Sequence, residues 1–250
     1  MSVWDTYEKR IEAHGTSKRN AALIRESRML SSKTKDSLSY HSVLIDGTER
    51  NVSIINSDNL NEKTMCSLPG EDFICGGLVE WADNRWLIVE KDANNEVYTK
   101  VKLLQCNFLL KWVDDQDIIH EQWCVIEDGT KYLTGEYEDR NFVVTRGDSR
   151  IAMTIAKNEH TVKFGRENRF LIDDPDSFEK NAYLLTKPLK VGKTYNGQGI
   201  YSFVLQEVVS TDDDDMELGI ADYYKHFPKQ DDSNKDDNVS DNDTGKKVWL

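Results

Sequence analysis

From residue 40 to residue 209 the chain is a succession of short β-prone runs cut by Gly, Asn and Asp turns. That alternation limits it to a sandwich or barrel architecture. The clearest signal comes first, where Asp46-Gly47 separates two apolar-alternating runs at 40–45 and 50–55. Asp-Gly supplies the two consecutive positive-φ residues of a tight hairpin turn. Further strands are expected over 73–81, 85–90, 97–105, 117–126, 141–146, 150–156, 160–164, 169–173, 182–187 and 200–209. Asp128-Gly129, Gly147-Asp148 and Asn196-Gly197 provide turns between them. Residues 56–72 contain no comparable run and read as one long irregular loop, a length usually reserved for functional or mobile segments.

A weak internal repeat accompanies these runs. Residues 78–88 can be laid on 161–172, each reading as a strand, a polar turn at Asn-Arg (Asn84-Arg85, Asn168-Arg169) and a strand opened by an aromatic (Trp86, Phe170). The repeat predicts two related β-subdomains, 36–115 and 116–210. The fold class expected is therefore mainly β: an N-terminal helical arm over 1–35, two small barrel or sandwich subdomains, and an acidic tail over 211–250.

The two ends differ from the body and from each other. Val3, Trp4, Tyr7 and Ile11 recur at three- and four-residue spacing and predict a helix with one apolar stripe. Gly15 then stops it, and Ser17 can cap a second, basic helix carrying Lys18, Arg19, Arg25 and Arg28. Such an arm either packs on its own body or docks on an acidic partner; Trp4, Tyr7, Arg25 and Arg28 are the contacts expected in the second case. At the other end, Asp212, Asp213, Asp214 and Asp215 read as a solvated linker. A short aromatic patch follows, and residues 229–247 have almost nothing to bury. The closing Val248-Trp249-Leu250 reads as a small anchor on a polar tether, with Trp249 and Leu250 as its contacts.

Charge sharpens the contrast. The net charge of −13 divides into +4 over 1–35, −10 over 36–210 and −7 over 211–250. An acidic body argues against wrapping nucleic acid, which needs Lys and Arg to displace counterions. It does not prevent DNA from sliding past a repulsive wall. No run of about 18 apolar residues is present, so no helical membrane span is expected, and no apolar signal segment opens the chain. Cys66, Cys75, Cys106 and Cys124 form no CxxC and are expected to be reduced thiols of a protein made in cytoplasm.

No chemical motif in the sequence is complete. Gly192-Lys193-Thr194 resembles the end of a phosphate loop, but Lys187 stands where its first glycine belongs and Pro188 removes a backbone donor. His14, His41, His120, His160 and His226 show no HxxxH or HExxH spacing, so no zinc site is expected and the strand histidines read as surface or satisfied core residues. Asp173, Asp174 and Asp176 lack the calcium-loop spacing. No GxSxG elbow occurs, and Cys75, Cys106 and Cys124 sit in apolar patterns as small hydrophobes. No catalytic residue, cofactor or metal ligand is assigned, and the chain does not read as an enzyme.

One stretch is distinctive. Residues 77–112 read GGLVEWADNRWLIVEKDANNEVYTKVKLLQCNFLLKW. This G-x-x-V-x-W-x-x-x-x-W-L-I hairpin and the L-x-x-C-N-x-x-L-x-W run after it resemble the head-closure, or stopper, proteins of the tailed-phage neck. The resemblance extends through TGEYEDRNFVVTRGDSRIAM and GIADYYKHFPK, covering roughly residues 40–228. It implies a structural virion protein, made in the host cytoplasm, that forms a homo-oligomeric ring at the head–tail junction. Its partners would be the portal or adaptor ring and tail proteins, with DNA only passing through the channel and no membrane involved. The familiar stoppers are a single small barrel without the second β-region or the acidic tail, so another neck or tail-associated component is the neighbouring reading. On the stopper reading, loop 56–72 would reach the channel axis as a gate through Asn59, Asn61, Lys63 and Met65. From a different class, a β-rich tail module binding a host surface or carbohydrate would use the same abundance of aromatics.

Overall fold

The computed structural model describes residues 2–12, 17–92, 95–128 and 150–228. The protein is mainly β and contains two barrel-like sheets. The first is a closed antiparallel barrel of β1 (Tyr40–Ile45), β2 (Thr48–Asn56), β3 (Glu62–Ser67), β4 (Leu78–Trp81), β5 (Asn84–Lys91) and β6 (Lys100–Gln105), ordered β1-β2-β3-β6-β5-β4. Asp46-Gly47 makes the expected two-residue turn: both residues have positive φ (49° and 77°), and Ile45 pairs with Thr48 across it. Alternating side chains of the six strands fill the interior, among them Val43, Val52, Met65, Val79, Trp86 and Leu103, with Phe73 packed among them.

The second sheet comprises β7 (Phe108–Val113), β8 (Ile119–Asp128), β9 (Arg150–Ala156), β10 (Arg169–Leu171), β11 (Ala182–Leu189), β12 (Thr194–Tyr195) and β13 (Gln198–Val208). Its order is β10-β11-β13-β9-β8-β7, with β12 folded back on the start of β13. The two edge strands, β10 and β7, approach one another and curl the sheet around Leu110, Trp112, Met153, Phe164, Phe170 and Phe203.

The sheets are joined through a third apolar cluster. In β5 four consecutive residues are buried. Trp86 and Ile88 face the barrel interior, while Leu87 and Val89 pack outward against Cys106, Val125 and Ile200. Beside this cluster the backbones nearly touch: a Cβ on Gly76 would lie 2.3 Å from the carbonyl oxygen of Gly199. Lys193 and Glu90 close the rim with an ion pair at 2.9 Å.

Two helices precede the barrel, α1 (Val3–Glu12) and α2 (Lys18–Lys35). Ser17 caps α2, its Oγ accepting from the backbone N–H of Asn20 at 3.1 Å. A short helix, α3 (Tyr223–His226), follows the second sheet. No helix among the described residues is long and apolar enough to cross a membrane.

Several expectations are corrected here. β7 pairs along its length with β8, so the division expected after residue 115 falls between β6 and β7. Residues 56–72 are not a long loop, because 62–67 form β3 between β2 and β6. Glu62, Lys63 and Thr64 give that strand a polar start, which hid its period. The two halves of the repeat also differ. Residues 78–88 form the β4–β5 hairpin, whereas Thr161–Lys163 is a 3-10 turn. Asn158 imposes that turn, its Oδ1 accepting from the N–H groups of His160 and Thr161 while Thr161 donates Oγ1–H to the carbonyl of Ala156. The strand expected at 141–146 lies outside the described residues.

The stretch 211–228 is not a solvated linker. Asp214 is buried, and Arg169 of β10 holds it through two bonds, Nη1 to Oδ1 at 3.0 Å and Nη2 to Oδ2 at 2.8 Å. The same guanidinium pairs with Asp222 at 2.6 Å. Asp214 also accepts from the N–H groups of Thr211 and Asp222. Burial pushes the Asp214 carboxyl up, but those two amides and Arg169 together hold it below the usual carboxylate range.

Candidate functional site

The residues expected to meet a partner divide by position. Trp4 and Tyr7 lie on α1 with 73% and 56% of their surfaces exposed, their rings edge to face at 6.1 Å. Arg25 and Arg28 are exposed on α2, a helix that buries none of its residues. These four share an arm whose described α1 side chains are all exposed. Arg19 of α2 pairs with Glu96, beyond β5. Trp249 and Leu250 lie outside the described residues.

The four residues expected to form a gate do not form one. Met65 is fully buried in the barrel core, and Lys63 lies on β3 with its ammonium 5.8 Å from the centre of the Trp86 ring. Asn59 and Asn61 sit in the short connection ahead of β3. A residue packed in the core cannot act as a mobile plug without opening the barrel, so the gate is withdrawn.

A second cluster has no signature in the sequence. His120 of β8 and His160 stack with ring centres 3.9 Å apart, and Asp114, just after β7, lies beneath them. His120 donates from Nε2 to Asp114 Oδ2 over 2.9 Å. The other carboxylate oxygen, Oδ1, accepts from the backbone N–H groups of Gln116 and Ile118 at 2.9 and 3.0 Å. The hydrogen bond from His120 and those two amides hold the buried Asp114 carboxyl well below the usual carboxylate range. Trp112 forms an aromatic wall, 5.5 Å from the His120 ring and 5.0 Å from Phe164. Asp114 and His160 line a cleft of about 480 Å³, together with Trp112, Lys163, Arg166 and Asn168. His120 and His160 are forty positions apart in sequence, so no spacing motif could have joined them; only the turn after β9 does so.

The cysteines behave as expected of small hydrophobes where they are buried. All four are free thiols. Burial pushes the Cys106 thiol up to about 12 and raises that of Cys124 as well. Neither supplies a thiolate near neutral pH.

Comparison with known proteins adds little to this geometry. No family model matches the chain, and no curated protein matches it. Among solved structures it is similar to MrkH, described as a c-di-GMP-dependent transcription regulatory factor, over 79% of this chain and 86% of that one. The identity is 10% and the TM-score 0.23, a likeness too low to carry a functional argument.

Proposed function

We propose that the chain is a structural protein of a tailed-phage neck that works by assembly, docking on neighbouring rings through its N-terminal arm. The observation that carries this reading is the arm itself. Trp4 and Tyr7 are held out on a helix, followed by a helix with exposed Arg25 and Arg28 and no buried residue. Large aromatics left in water are costly unless a partner covers them, and Trp, Tyr and Arg are the residues that dominate binding interfaces. The basic arm and acidic body are complementary in sign, which favours head-to-tail contact between copies, the kind of contact from which rings are built. The resemblance of residues 77–112 to head-closure proteins supplies the setting, with portal or adaptor and tail as the other partners. An acidic wall would let DNA pass without adhering.

The test is sedimentation of purified portal-bearing heads with the full chain or with a chain lacking residues 2–16. The full chain is expected to travel with the heads and the shortened one to stay at the top of the gradient. Equal association of both would overturn the role of the arm. Association of neither would overturn the neck assignment.

A further inference from the structure

We propose that Asp114, His120 and His160 form a binding site for a divalent transition metal of the zinc class, which staples the turn after β9 to the β7–β8 hairpin. The proposal is independent of the neck assignment. One ligand atom from each of the three residues lies within 4.8 Å of the others. Donors around a tetrahedral ion at zinc–ligand lengths are about 3.4 Å apart, so a pair 4.8 Å apart has to close by about 1.4 Å. His160 can supply that movement, because about a third of its side chain is exposed and it sits at the start of a 3-10 turn. Two imidazoles and one carboxylate suit zinc, cobalt or nickel better than magnesium or calcium, which favour all-oxygen sets.

The surroundings are those of a built site rather than a chance meeting of side chains. Asp114 is buried, and its Oδ1 is fixed by two backbone amides, which orients Oδ2 toward the histidines. A carboxylate oxygen of Glu159 lies 3.3 Å from Nε2 of His160, the kind of outer acceptor that sets the tautomer of a metal-binding imidazole. Trp112 and Phe164 back the cluster with apolar surface, lowering the local dielectric. On binding, the hydrogen bond between His120 and Asp114 gives way: His120 carries its N–H on Nδ1, and Nε2 and the Asp114 carboxylate turn their lone pairs to the ion. Asp114 and His160 also line the adjoining cleft, from which water can reach a bound ion.

Cobalt(II) is the probe, titrated into the metal-stripped full chain and followed by visible d–d absorption. The expected result is an intense tetrahedral spectrum that saturates at one ion per chain and is displaced by zinc. His160→Ala is expected to weaken binding at least tenfold, as is Asp114→Asn, which retains the shape of the carboxylate. His41→Ala, in the other barrel, should leave it unchanged. Circular dichroism confirms that each variant is folded, and either of the two site variants suffices. Absence of the spectrum in the wild-type chain would overturn the site, as would equal binding by folded site variants. A thiolate-to-cobalt charge-transfer band would place the ion on cysteine and overturn it equally.

Discussion

Arg169 is the side chain on which the end of the described fold depends. Its guanidinium is mostly buried, and it faces Asp214, whose side chain is wholly so, along with Asp222. Removing one partner of a buried pair strands the other charge without water, so Arg169→Ala is expected to cost about 3–5 kcal/mol. Urea unfolding at neutral pH checks it, and a loss below about 1 kcal/mol would mean that solvent reaches Asp214. The pH dependence has a definite sign. The folded Asp214 carboxyl titrates below its unfolded value of about 3.9, so its contribution is full above that pH and fades as pH falls through the folded value. The stability gap between wild type and Asp214→Asn should therefore be constant from pH 7 to about pH 5 and narrow below about pH 4. None of this was legible in the sequence. Four consecutive aspartates look alike there, and only the fold selects Asp214 by bringing β10 beside it. His120 and His160 were hidden for the same reason: their meeting is a property of the turn after β9.

At the scale of elements, the hairpins were the readable part. Asp46-Gly47 announced β1 and β2, and the strand expected over 85–90 is β5, which the structure buries on both faces from Trp86 to Val89. What failed was strands and turns whose sequence pattern pointed elsewhere. β3 begins with three polar residues, only alternate ones of which face away from the barrel interior. β7 follows β6 so closely that the two read as parts of one body, yet Cys106 and Asn107 turn the chain into the second sheet. Asn107 secures that turn by bonding both ways with Ile126 of β8. The junction between sheets gives a direct test. Gly76 has φ of +91°, and a methyl group there would collide with the backbone of Gly199. Gly76→Ala is expected to destabilise the protein by at least about 2 kcal/mol, combining left-handed strain with overpacking. Calorimetry would also show whether the sheets still melt together. A single transition at the wild-type temperature would mean that the junction contributes little.

On the scale of the whole molecule, two sheets share an apolar seam while a helical arm projects its aromatic and basic side chains outward. The body should therefore be indifferent to the loss of the arm. Removing residues 2–16 is expected to change unfolding free energy by less than about 0.5 kcal/mol, the range of surface changes away from packed features. A larger loss, measured by urea unfolding, would mean that the arm is part of the core and not a docking element. The amphipathic stripe was legible in the sequence, but whether it faced its own body or a partner was not, because periodicity gives a face and not its neighbour. Electron microscopy of particles assembled without this chain decides whether it joins a filled head to a tail, as proposed above. Free tails beside heads that have lost their DNA are the expected result; heads and tails joined as in the wild type would contradict it.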